Sequence, residues 1–195
     1  MNLNVLQEAF GKDSRVFSIA DRITMSAPQQ LFLKNLHGSA SQFVVAAIFQ
    51  HPACAAINHL IVLNDAEEAA YFHNTLENLT NALDLFYFPS SFKNKKNYKL
   101  LNSSHVMLRT EALTKLSAGG NKKIIVTYPE ALFEKVVLPK TLSENIIRIK
   151  NGDALDISKL LLQFDDYGFT KTDFVYEPGQ FAIRGGILDI YSFGN

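Results

Sequence analysis

Cysteine is almost missing from this chain, and the single Cys54 among 195 residues cannot close an internal disulfide. A globular chain of this size without cysteine pairs fits a reducing compartment, so the cytoplasm is the expected location. Charge of one sign is missing too. Nineteen basic residues balance nineteen acidic ones, which leaves no overall electrostatic footprint for a polyanion. No apolar run approaches the about eighteen residues of a membrane-spanning helix. Glu8 and Asp13 fall where a signal peptide would carry its apolar core, so no membrane association is expected. Metal-ligand spacing is absent as well: His37, His51, His59, His73 and His105 stand apart from acidic or thiol partners. Cys54, close to Pro52, reads as a small core residue rather than a nucleophile. Ser39 in Gly38-Ser39-Ala40 lacks the second glycine of a nucleophile elbow. Asp165-Asp166 ends a predicted helix, where the macrodipole disfavours its charge and a solvated terminus is the plainer reading. No catalytic residue and no metal ligand emerges.

What is present is apolar substance: 47% of residues are hydrophobic, enough to bury one large core or two small ones. Residues from Val5 to Phe32 read as short helices and connections. A mostly apolar, strand-like run from Gln30 to Leu36 then leads through the small-residue loop His37-Gly38-Ser39-Ala40-Ser41 into a predicted buried helix over Gln42–Phe49, the layout of a phosphate cradle. Ile57–Leu63 is a predicted strand and Asp65 a helix N-cap; Ala69, Phe72, Leu76, Leu79 and Leu83 recur as one helical face, and Leu85–Phe88 is the next strand. Strand, helix, strand at this spacing is a βαβ unit. Lys93, Lys95, Lys96 and Lys99 mark a solvated loop, with a local nucleic-acid contact as the alternative. Ser104 is the expected cap of a helix ending at Gly119-Gly120, Ile124–Thr127 a buried strand, and Pro129 the first turn of a further helix.

Around Leu138-Pro139 the alternation stops, which sets an expected boundary between residues 1–137 and 138–195. The second part begins with a strand candidate over Glu144–Lys150 and a turn at Asn151-Gly152-Asp153. Asp156 then caps a helix through Ile157, Leu160, Leu161 and Phe164 that closes at Gly168. A strand at Asp173–Tyr176 follows. Pro178-Gly179 supplies turn chemistry between apolar runs, predicting a hairpin there, with Gly185-Gly186 as a bulge that re-aims Arg184. Pattern alone leaves Arg184 either solvated or aimed at a partner. The fold class is therefore α/β, a parallel sheet with flanking helices followed by a small α+β module with an antiparallel hairpin.

Gly168-Phe169, Thr172–Tyr176, Gly179–Gly185 and Ile187–Tyr191 together resemble the second domain of the bacterial transcription-repair coupling factors, the Mfd family, and of the excision-repair protein UvrB. The likeness is closer to the Mfd family and extends weakly back to Asn35–Ala40. It implies that residues 1–137 are a UvrB domain 1a-like module with a degenerate phosphate loop, and residues 138–195 a UvrA-binding module that ends early. A working loop needs G-x-x-x-x-G-K-[ST], whose lysine and hydroxyl hold phosphate and Mg2+. In the UvrB alignment those final positions fall on Ala40, Ser41 and Gln42, with Asn35 at the first glycine. Without the lysine, a charge-assisted contact on the order of 1.5–3 kcal/mol is gone. Gly38, Ser39, Ala40, Ser41 and Gln42 are thus expected to be inactive, and no cofactor is expected here; ATP and Mg2+ belong to the motor domains of the full-length family.

The UvrB arginines implicated in UvrA docking match Lys171, Ala182 and Arg184, and another basic position of the Mfd family matches Thr170. Only Arg184 is kept, because Lys171 lacks the bidentate fork. Arg184, Lys171, Gln180 and Phe181 are the expected UvrA-binding residues, Phe181 having a core residue as its alternative. The resemblance implies a non-catalytic mimic of UvrB that recruits UvrA, with RNA polymerase and DNA met through other domains. The alternative is a DNA-contacting repair or helicase domain like UvrB itself. UvrB inserts an aromatic-rich hairpin in its first domain, and no Tyr-rich insertion stands here.

Overall fold

The computed structural model describes residues 3–80, 84–92, 101–120 and 122–193. Leu83 and the cluster Lys93, Lys95, Lys96 and Lys99 lie outside the described residues. In chain order the elements are α1 (Leu3–Gly11), α2 (Ser14–Ile23), α3 (Ala40–Gln50), β1 (His59–Val62), α4 (Ala66–Thr80), β2 (Leu85–Tyr87), α5 (Ser103–Ser117), β3 (Ile124–Thr127), α6 (Pro129–Phe133), α7 (Pro139–Glu144), α8 (Ile157–Asp166), β4 (Thr170–Lys171), β5 (Gln180–Arg184) and β6 (Ile187–Tyr191). A 3-10 turn covers Pro52–Cys54. No helix among the described residues is long and apolar enough to cross a membrane.

Contacts divide the chain into a unit of residues 1–88 and 119–132 and a second of residues 89–118 and 133–195. The first holds the expected parallel sheet, in the order β1-β3-β2. Ile124–Thr127 takes the centre, paired on both edges, and its four buried residues reflect cover on both faces. His59 lies beside Ile124 from one side and Leu85 from the other. Asp65 caps α4 by accepting from the Glu68 amide at 2.9 Å. That directs Ala69, Phe72, Leu76 and Leu79, the predicted face, into the interior. Full burial of a side chain such as Leu76 contributes about 1.5–3 kcal/mol. A second cluster joins Val16 and Ala20 of α2 to Val44, Ala47 and Ile48 of α3, with Cys54.

Several expectations are corrected. The run over residues 30–36 forms no strand. Phe32, Leu33 and Leu36 are exposed, so no neighbouring strand covers the run and nothing drives it into a sheet. Asn102 rather than Ser104 caps α5, its side-chain oxygen accepting from the His105 amide. Glu144–Lys150 is not a strand: α7 ends at Glu144, and Ile146, Ile147 and Ile149 line an apolar cavity of about 410 Å³ beside Leu160 and Phe169. Among the described residues no strand pairs with them.

The segment 89–118, placed by composition with the first domain, is grouped by contacts with the second unit. The cause is a buried polar knot that sequence gave no sign of. Arg109 donates from Nη1 to the Pro89 carbonyl at 2.8 Å and approaches Glu134 Oε1 at 3.4 Å. Glu134 Oε2 in turn accepts from the Ser91 amide at 2.8 Å. These bonds tie α5 to the chain after α6.

Candidate docking surface

In the second unit, α8 begins at Asp156, whose carboxylate accepts from the Lys159 amide at 3.2 Å. It ends as expected at Gly168, which takes a φ of +73° while the Phe169 amide donates back to the Phe164 carbonyl at 2.8 Å. A left-handed residue with this longer-range bond is the usual way to satisfy terminal helix carbonyls. Leu160 and Phe164 therefore face the sheet and pack on Phe181, with Phe169, Ile183 and Leu188 around them. The Phe164 and Phe181 rings lie 5.1 Å apart.

The hairpin is real but turns elsewhere than expected. β5 and β6 pair antiparallel from Gln180↔Tyr191 to Arg184↔Ile187, so Gly185-Gly186 is the two-residue turn itself and not a bulge. Both glycines have positive φ, +54° and +89°. Tight hairpins need that backbone to match strand twist, and glycine supplies it without a Cβ clash. Pro178-Gly179 instead leads into β5 from a loop, both residues being buried. The strand expected at Asp173–Tyr176 is also displaced. β4 covers only Thr170–Lys171 and pairs parallel with β5. Pairing ends where the Thr172 amide donates to the Phe181 carbonyl. Gln180 then holds the departing loop, its Oε1 accepting from the Tyr176 and Glu177 amides at 2.9 and 3.1 Å.

Register sorts the expected partner-binding residues onto two faces. Phe181 lies on the α8 side and is buried, which corrects its place among surface residues: its ring is core. Gln180, Ala182 and Arg184 alternate to the other side. Asp189 joins them there because it pairs across from Ala182. Ala182, where UvrB has an arginine, is only 1% exposed. Lys171 is exposed at the edge strand, but its pairing with Phe181 sets it on the face opposite Arg184. Thr170, paired with Gln180, shares the Arg184 face.

Arg184 itself is half exposed, its side chain at 50%. Its Nη2 donates to Asp189 Oδ2, and the guanidinium lies over the Phe174 ring, 4.9 Å from the centroid. Phe174 and Tyr176, whose rings are 6.3 Å apart, remain 55% and 76% exposed. The sequence marked neither aromatic as a site. The available signal was Phe174 and Tyr176 alternating with Val175 just before Pro178-Gly179.

The other candidate, Gly38–Gln42, has Gly38 at φ +56° ahead of α3. Ser39 makes no side-chain capping bond, and Ser41 Oγ donates to Gln42 Oε1 at 2.9 Å, with Gln42 buried. Cys54 is fully buried, and burial first, then the charge of Asp21, pushes its thiol pKa up, away from nucleophile chemistry. Among the described residues no three His, Cys, Asp or Glu side chains converge on a metal-sized space.

Residues 147–195 match the family model of the UvrB interaction domain, the span that contains α8, the three short strands and Arg184. Across more of the chain the similarity is to transcription-repair-coupling factors. That of Haemophilus influenzae is 36% identical over 75 residues, 38% of this chain and 6% of the relative. Over those residues the chain is similar to that protein. The Borreliella burgdorferi protein is 27% identical over 167 residues, covering 83% of this chain and 14% of its own length. The Rickettsia typhi protein is 25% identical over 131 residues, or 67% and 12%. The chain thus spans about a seventh or less of these transcription-repair-coupling factors, and the UvrB-like module is the part of the resemblance that carries the candidate surface.

Proposed function

We propose that this chain is a non-catalytic docking module of a transcription-repair-coupling factor, which mimics UvrB and recruits UvrA of nucleotide excision repair to stalled RNA polymerase. One observation carries the proposal: within the span matching the UvrB interaction domain, Arg184 is presented half exposed at the turn end of the hairpin face opposite the Phe181 core. Arginine suits that task, since its planar fork pairs carboxylates and it recurs among the few residues that dominate interfaces. Lys171 contributes at most a screened charge from the sheet edge. In this reading nucleotide hydrolysis, ATP and Mg2+ belong to other parts of the full-length protein, in keeping with Ala40, Ser41 and Gln42 where a phosphate loop would carry glycine, lysine and threonine.

The test is a titration of UvrA with the chain and with Arg184→Ala. Truncating an interfacial arginine costs about 2 kcal/mol or more, so affinity is expected to fall at least tenfold while the circular dichroism spectrum stays unchanged. Equal affinities would overturn the proposal.

A further inference from the structure

Arg184 does not arrive at a partner as a bare charge. Asp189 occupies one of its donor nitrogens and Phe174 covers one face of the guanidinium. A screened surface ion pair contributes little by itself, so a surface built on Arg184 alone would be weak. The surroundings supply what the charge lacks. Phe174 and Tyr176 stand on the loop that leaves β4, exposed and within ring-to-ring reach of one another, with Phe174 against the arginine. The loop is held: Gln180, from β5, accepts two of its backbone amides. Such a clamp lowers the ordering cost that a mobile loop would incur on binding.

Building on the docking function proposed above, we infer that Phe174 and Tyr176 are contact residues of the same interface, and that the occupant of the patch is a UvrA surface presenting a carboxylate beside an apolar recess. The guanidinium takes the carboxylate through donors that Asp189 leaves available, and the rings fill the recess. Aromatic side chains and arginine are the types enriched at interface centres, because they bury large area with few rotatable bonds. Gln180, expected from sequence to touch the partner, acts instead by positioning the aromatic loop.

The experiment compares UvrA affinity for the chain, Arg184→Ala, Phe174→Ala, Tyr176→Ala and the control Leu162→Ala, an exposed apolar residue on α8. Each aromatic truncation is expected to weaken binding five- to tenfold with an unchanged thermal midpoint, and the control to bind as the parent does. If Arg184→Ala weakens binding while both aromatic variants match the parent, the inference fails and the docking proposal stands. If the aromatic variants weaken binding and Arg184→Ala does not, the loop remains the contact and the arginine assignment fails. Parental affinity in all of them overturns both.

Discussion

Gly179 shows how one missing Cβ can decide local structure. It sits at φ +82°, a region costing a residue with a side chain about 1–3 kcal/mol. A Cβ there would also run into the Phe193 ring. The sequence marked this glycine for the right freedom and the wrong purpose, since its φ seats the start of β5 under an aromatic rather than closing a hairpin. Gly179→Ala is therefore expected to destabilise the second unit by at least about 1–3 kcal/mol, seen as a lower urea midpoint. Gly186→Ala, at φ +89° with open space around it, has only the backbone cost to bear. Equal losses for the two would show that the Phe193 contact carries no weight. Phe181 illustrates the converse: motif placement suggested a surface role, and alternation alone put it in the core.

At the scale of elements, α5 is held to its unit by polar groups removed from water. Arg109 is 5% exposed and Glu134 14%. Removing one partner of such a pair leaves a buried charge and typically costs about 3–5 kcal/mol. Glu134→Ala is expected to lower stability by that order in chemical denaturation, and the amide of Ser91, which Glu134 accepts, to lose hydrogen-exchange protection. A change under 1 kcal/mol, below the roughly 3 expected, would show that Arg109 regains water. Periodicity found α4 and α8 because each has one continuous apolar face, and the apolar run of α3 found that helix because it is buried almost all round. Periodicity misjudged residues 144–150 because alternating isoleucines look the same whether they line a cavity or a sheet.

For the molecule as a whole, pH bears on the first unit through two histidines. Burial lowers the pKa of His59 and of His73 below the usual value of 6.5, with Glu77 opposing the shift at His73. His59 rests edge-on against Phe49 at 5.7 Å and its Nε2 has no hydrogen-bond partner among the described residues. The neutral ring is the folded form, so below about 6.5 the unfolded chain binds more protons and stability falls as pH is lowered. Thermal midpoints are expected to drop between pH 7.5 and 5.5, and less steeply in His59→Gln. An identical slope in that variant would assign the drop to other groups.

The residues by themselves determined the parallel strands, the face of α4 and the cap and end of α8, because these depend on periodicity and turn chemistry within a short stretch. Only tertiary structure decided that Lys171 and Arg184 occupy opposite faces and that Phe174 lies against the guanidinium, whereas the Gly185-Gly186 turn was open to local reading, since two glycines between β-prone runs favour a two-residue hairpin. The opposite faces and the ring contact both follow from how β4 and the loop after it pair and pack against β5, a relation between separate segments that periodicity within either one does not encode.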